Sequence, residues 1–459
     1  MDPRTRALLE APIVPTIARL ALPNLAVMVM QSAIGLIETW FVAKLGTDAL
    51  AGMALVFPLL MVIQMISAGA MGGGILSSVA RALGSNRRDD ANTLAWHAVA
   101  IAVALGVVTS AAALAGGPKL YALMGGRDGS LAAALTYSNI VFAGATLIWL
   151  YNSLAAVIRG TGNMMVPASV TVLGAVVLIP LSPMLIFGVG PLPRLGIAGG
   201  ATAVVGFYAL GSAIFAAYLW SGRGVLRPAA RPPALRWAPT RDILRVGAVA
   251  SLVSVTTNVS IATATGLTGA FGPAAVAGYG TGARLEYLLV PLMFGLGAPL
   301  AALTGTAIGA GQRERALKVA WTGALIASVI TEAIGLAAAF FPAAWMSLFG
   351  ADATMNEVGV HYLHVVGPFY GFFGLGLALY FASQGAGRLG WPLIAALLRV
   401  TIATGGGYIA VQAAGLTGLY LALGLALAAF GLVTAIAIAS GVWFTGRPAP
   451  VPARVPQTS

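Results

Sequence analysis

The length of its apolar runs is what most constrains this chain. From Leu20 to Ala43 the residues are almost wholly apolar, and a helix over them rises about 36 Å, enough to cross a hydrocarbon core roughly 30 Å thick. Runs of this kind recur throughout: residues 13–45, 49–83, 94–115, 131–158, 165–189 and 196–221, then 243–270, 275–308, 319–341, 357–383, 391–413 and 416–444. Inside lipid every backbone amide and carbonyl must be satisfied within the protein, so uninterrupted runs of this length fold as helices. Only 8% of the residues are charged and 59% are hydrophobic. A soluble globule carries about 25% charged residues, so that class is excluded. The net charge of +12 does not signal nucleic acid, because the basic residues sit in short loops between apolar runs, where they set membrane orientation.

Placing the N-terminus inside puts nineteen Lys and Arg on that side, Arg81, Arg87, Arg88, Arg159, Arg313 and Arg315 among them, against Lys44, Lys119, Arg127 and Arg194 outside. Both termini are therefore expected in the cytoplasm. Residues 1–12 read as a cytoplasmic N-terminus without a cleavage site, hence no signal peptide. Residues 13–221 form an amino lobe, 222–242 a Pro- and Arg-rich cytoplasmic linker, 243–444 a carboxyl lobe and 445–459 a Pro-rich tail expected to be disordered. Kinks are expected at Pro23, Pro58 and Pro291.

The two lobes are repeats. GTDALAG (Gly46 to Gly52) recurs as GPAAVAG (Gly272 to Gly278), and ALGSNRRDDA (Ala82 to Ala91) recurs as AIGAGQRERA (Ala307 to Ala316). RGTGNMMVP (Arg159 to Pro167) recurs as QGAGRLGWP (Gln384 to Pro392), each pair offset by 225 or 226 residues. A repeat with an even number of spans lies the same way up as its copy. The expected fold is an all-α polytopic membrane protein, 12 transmembrane helices in two parallel six-helix lobes around a central cavity.

Glu38 is the one charge between Leu20 and Ala43. An ionisable group at such depth is unfavourable by a few kcal/mol at least, and it faces protein or water rather than lipid. Asn24, Gln31 and Glu38 recur every seven residues, which keeps them within about 40° of one line on a helix. A carboxyl in a low-dielectric pocket has its charged form disfavoured, so a proton and a cationic cargo can compete for it. By rise per residue it lies roughly 10 Å from the outer end of its helix.

These loops of type ALG-x-x-R, the LGT-x-A-L-A segment at Leu45, the R-G-x-G-N run at Arg159 and YGTGARLE (Tyr279 to Glu286) resemble the multidrug and toxic compound extrusion (MATE) family, prokaryotic branch. The resemblance spans Ile13 to Trp443. It implies a secondary antiporter in the bacterial inner membrane, exporting organic, often cationic, compounds against inward H⁺ or Na⁺. Glu38 stands where the family usually carries an aspartate. The fifth span departs from the family's Asn-x-x-x-Asp-Pro, reading Leu178 to Pro183 with Ser182 at the missing acid. The seventh span has no glutamate and instead shows a polar stripe of Ser251, Ser254, Asn258 and Thr265. Asn152 matches an amide that the family places near the first-helix acid. With Glu38, Asn152, Ser182 and Gln31 as the coupling set, H⁺ is expected over Na⁺, which wants more oxygen charge.

Expected cavity residues are Asn24, Met28, Asn258, Ser254, Glu286, Arg284 and Tyr370. Arg284 and Glu286 serve either a structural network or cargo. Glu332 can pair with Arg284 or pack protonated, and Arg399 is near enough to the inner surface to snorkel. His97, His361 and His364 read as satisfied residues near helix ends. No cofactor or nucleic-acid partner is expected. The partners are a small organic substrate and the bilayer, and the chain is expected to be a monomer. A lipid-linked-sugar flippase of the same architecture is the alternative, weakened by the scarcity of basic cavity residues. No nucleophile with a His base and no phosphate loop supports an enzyme.

Overall fold

The computed structural model describes residues 1–190, 193–349 and 352–444, leaving the Pro-rich tail at 445–459 outside the described residues. Ten helical runs among these are long and apolar enough to cross a membrane, and a pair bent by 48°, Asp128–Ala143 and Ala145–Gly160, makes an eleventh. The longest run, Gly390–Ala439, has 50 residues. Straight, it would rise about 75 Å, more than twice the hydrocarbon thickness. It turns back at Ala414 and Gly415, where the backbone leaves helical geometry. Gly418 then lies against the carbonyl of Ala410, and Gly407 against Leu419, contacts that a straight helix could not make. This run is two spans, so the crossings number twelve among the described residues.

The repeat is written in the backbone as well as in the sequence. Gly46 and Gly272, at φ +112° and +98°, precede the second and eighth spans, Thr47–Gly84 and Pro273–Gly309. Asn86 and Gly311 share the left-handed region, as do Gly162 and Gly387. Each pair sits at the same offset as the sequence repeat, so equal turns answer equal sequence. The two copies meet where the second and eighth spans cross. A side chain at Gly84 would strike the Thr306 carbonyl, and one at Gly309 would strike the Arg81 carbonyl. Gly84 and Gly309 are themselves repeat equivalents, so the pseudo-twofold axis passes between them, and closeness of this kind is what small residues permit in membrane helices.

The interlobe seam is fastened near the end that carries the N-terminus and the arginine-rich loops. Arg81 donates to Asp242 (2.5 Å) and to the Gly385 carbonyl (3.0 Å). Asn24 Nδ2 donates to the carbonyls of Phe294 (3.1 Å) and Gly295 (3.0 Å). The Gly295 carbonyl is available because Pro299, four residues on within the same helix, has no N–H to offer it. The Gly385 carbonyl is free because its helix ends at Ala386. A short helix that the sequence reading missed, Pro3–Glu10, is capped by the Asp2 side chain. It bridges the lobes: Arg315 donates to the Leu8 and Ala11 carbonyls while the Leu8 side chain covers Gly162.

The interlobe hydrogen bonds named above lie from mid-span to the arginine-rich end. In the far half the outer part of the second span, Thr47–Gln64, packs on Asp128–Ala143 of its own lobe. The lobes are held together at the arginine-rich end. The linker is shorter than expected, because the seventh span begins at Trp237, and it lies on the amino lobe: Asn92 accepts from the Arg227 amide (2.8 Å), and His97 bonds to the Arg236 backbone.

Candidate functional site

The first span (Ile13–Ala43) carries Glu38 into the amino lobe, where the residue is 3% exposed. It points neither at lipid nor at bulk solvent. Ser182 of the fifth span and Tyr137 of the fourth face it. Gly200 of the sixth span leaves room for it: even a Cβ there would sit 3.3 Å from Oε2. Glu38 Oε2 and Ser182 Oγ are both buried and face one another without closing to hydrogen-bond distance. Leaving such groups unmet costs about 1–3 kcal/mol each. The pair can be joined in either protonation state, since the serine hydroxyl donates to a carboxylate and a protonated carboxyl can donate to the serine oxygen.

A polar line extends inward from this pocket. Tyr137 neighbours Tyr208, whose hydroxyl donates to Gln64 Oε1 at 3.5 Å. Asn152 Nδ2 donates to the same Gln64 oxygen (3.3 Å) and to Ser67 Oγ (2.8 Å). Asn152 therefore bonds to the second span, and its link to Glu38 runs through Gln64 and the two tyrosines. Ser67 sits in a π-helical turn, Met65–Met71, a local widening that re-aims side chains and recurs at functional sites. Gly69 of that turn accepts from Gln384 Nε2 of the other lobe at 3.2 Å. One irregular turn thus touches both the polar line and the seam.

Between the lobes lies a narrow cleft lined by Asn24, Met28, Gly72, Phe294, Phe381 and Gln384, with Arg159 also on its wall. The sequence places Arg159 in a loop, whereas here its Nε is buried without a partner. Gln31 is half-buried and makes no hydrogen bond among the described residues.

The carboxyl lobe holds a second buried cluster. Arg399 Nη2 donates to Glu286 Oε1 at 3.2 Å, and the Tyr362 hydroxyl donates to Oε2 at 3.4 Å. The guanidinium also lies 5.7 Å from the rings of both Phe373 and Phe430. Arg399 therefore does not snorkel to the surface as expected; a carboxylate and two aromatic faces inside the lobe hold it. Nor do Arg284 and Glu332 pair. Arg284 lies over Phe349, and Glu332 accepts from the Gly371 amide at 2.6 Å, which gives each a local role. Tyr370 is fully buried in this lobe and does not line the cleft. The polar stripe of the seventh span turns onto its own helix: Ser251, Ser254, Asn258 and Thr265 each donate to a carbonyl four residues back, the usual outlet for short polar side chains in apolar helices. Tyr137 and Tyr362 are repeat equivalents, so each lobe sets a tyrosine from its fourth span beside a buried acid.

A family model described as MatE matches residues 23–184 and 250–409. The FAD transporter of Shewanella oneidensis is 30% identical over 380 residues, covering 82% of each chain. The probable multidrug resistance protein NorM of Thermotoga maritima is 24% identical over 384 residues, covering 83% of this chain and 82% of that one. Among solved structures, the crystal structure of MATE in the bent conformation superposes with a TM-score of 0.88 at 24% identity, covering 96% of this chain and 98% of that one.

Proposed function

Since this chain belongs to the MatE family of membrane transporters, we propose that it is a secondary antiporter exporting organic compounds in exchange for H⁺, with Glu38 as the exchanging group. The single observation that carries this is a titratable carboxyl, Glu38, buried inside the amino lobe beside the Ser182 hydroxyl. One titratable carboxyl beside a hydroxyl suits a proton, whereas Na⁺ favours more oxygen charge. The hydrogen bonds from Tyr208 through Gln64 and Asn152 to the π-helical turn connect the neighbourhood of Glu38 to the second span and the lobe seam.

The arginine bias supports cytoplasmic termini, and the seam fastened at that end supports a state open to the outside, reached by rocking one lobe against the other. A cationic cargo would compete with the proton for the same negative charge. A second reading has one observation in its favour: the cleft wall carries Arg159 with an unpartnered Nε. That group suits an anionic cargo, the charge class of the substrate named for the Shewanella relative.

The test is efflux from proteoliposomes under an imposed pH gradient, with ethidium and FAD as alternative cargoes. Glu38→Gln should abolish gradient-driven export while Glu38→Asp retains part of it. Equal export by both variants and the unaltered chain would move the exchanging group elsewhere.

A further inference from the structure

A cleft of about 360 Å³ opens on the flank of the carboxyl lobe, between the start of the seventh span and the turn that leads into the eleventh. That volume falls in the range of about 300–1,000 Å³ typical of small-molecule sites. It shares no residue with the interlobe cleft or with the surroundings of Glu38. Two arginines, Arg245 and Arg388, line it with Val246, Val249, Leu393 and Trp391.

Neither guanidinium makes a hydrogen bond or ion pair among the described residues, so two positive charges stand at one opening without a counter-charge. The nearest acid along the chain, Asp242, is one helical turn before Arg245 and is already engaged by Arg81 and Ser78. The valines and Leu393 make the remaining wall apolar. Trp391 is 42% exposed at the first turn of its helix, the position at which indoles anchor at the membrane interface. Charge outermost, an indole at the interface and branched aliphatic residues beneath follow the order of a phospholipid: phosphate, glycerol, acyl chain. Basic pockets between spans on the arginine-rich side of membrane proteins hold anionic head groups for this reason.

We propose that this cleft binds an anionic glycerophospholipid from the leaflet at the arginine-rich end, its phosphate between Arg245 and Arg388 and one acyl chain along Val246, Val249 and Leu393. The site adjoins the seam. Gly387, next to Arg388, packs on the Arg81 guanidinium, and Arg245 shares a helix face with Asp242. A bound lipid braces both segments that grip Arg81, and so favours the state closed at this end. The site stands independently of which ion or cargo the transporter moves.

The purified full chain in nonionic detergent is titrated with dioleoyl phosphatidylglycerol while its unfolding temperature is read from tryptophan fluorescence, since a ligand of the folded state raises it in saturable fashion. Phosphatidylglycerol should stabilise saturably; dioleoyl phosphatidylcholine and inorganic phosphate should not. Arg245→Gln/Arg388→Gln should weaken the apparent affinity by roughly 25-fold, about fivefold for each arginine. Arg4→Gln/Arg6→Gln, which removes equal charge from the N-terminal helix, should leave it unchanged. Equal weakening by the two double variants, or equal stabilisation by inorganic phosphate, would overturn the proposal.

A second measurement does not depend on the arginine variants folding. In vesicles, brominated phosphatidylglycerol should quench a fluorescence component that Trp391→Phe removes, and brominated phosphatidylcholine should quench it less. Equal quenching by both lipids would also overturn the proposal.

Discussion

Removing Arg81 should loosen the arginine-rich end far more than removing the acid it pairs with, and the structure supplies the reason. The Arg81 and Asp242 side chains are 18% and 50% exposed, so their ion pair is well solvated and contributes about 0.5 kcal/mol. The bond from the charged guanidinium to the Gly385 carbonyl is part-buried and contributes about 1.5 kcal/mol. Arg81→Ala loses both, roughly 2 kcal/mol or a thirtyfold shift in the ratio of closed to opened arginine-rich ends. Asp242→Asn loses the smaller part, about a twofold shift. The chain has no cysteine, so spin labels can be placed at Thr47→Cys and Ala270→Cys without removing native thiols. Both positions are exposed at the far end of the two lobes. Pulsed dipolar spectroscopy should show a shorter-distance population growing strongly in Arg81→Ala and hardly in Asp242→Asn. Equal growth in the two variants would refute the assignment of the latch to the carbonyl bond. No change in either would refute the latch itself.

Further outcomes follow from the two buried clusters. Glu286→Gln leaves the Arg399 guanidinium buried without its counter-charge, which should destabilise the protein by about 3–5 kcal/mol, whereas Glu286→Met/Arg399→Leu should recover most of the lost unfolding temperature. Gly200→Val would set methyl groups against Glu38 Oε2, where even a Cβ lies at 3.3 Å. Gradient-driven efflux should fall at least several-fold, while Gly206→Val in the same span, facing open space, should behave as the unaltered chain does.

Much of the architecture was legible because it follows from period and length. The apolar runs gave the spans, and the repeated loops gave the duplication, which the paired left-handed residues Gly46 and Gly272 carry into the backbone. Glu38 could be picked out because one charge in a long apolar run has few destinations. What was not legible depends on partners remote in the chain. Arg399 and Glu286 lie 113 residues apart, and nothing local to Arg399 shows that an acid waits inside the lobe. Arg159, in a glycine-flanked loop motif, reads as a surface residue until the lobes close around it. The Gly295 carbonyl becomes an acceptor for Asn24 only because of Pro299, a signal present in the sequence but meaningful only once the facing helix is known. The polar stripe of the seventh span has partners the sequence does not announce: its hydroxyls and amide donate one turn back on their own helix.

If Glu38 exchanges a proton for cargo, counting that proton is the most direct test. Purified transporter in weakly buffered detergent near neutral pH, mixed with saturating ethidium beside a pH-sensitive dye, should release up to about one proton per transporter by reciprocal linkage. Glu38→Gln should still fold and release none. Release by Glu38→Gln equal to that of the unaltered chain would contradict the claim, because the exchanged proton would then reside on another group.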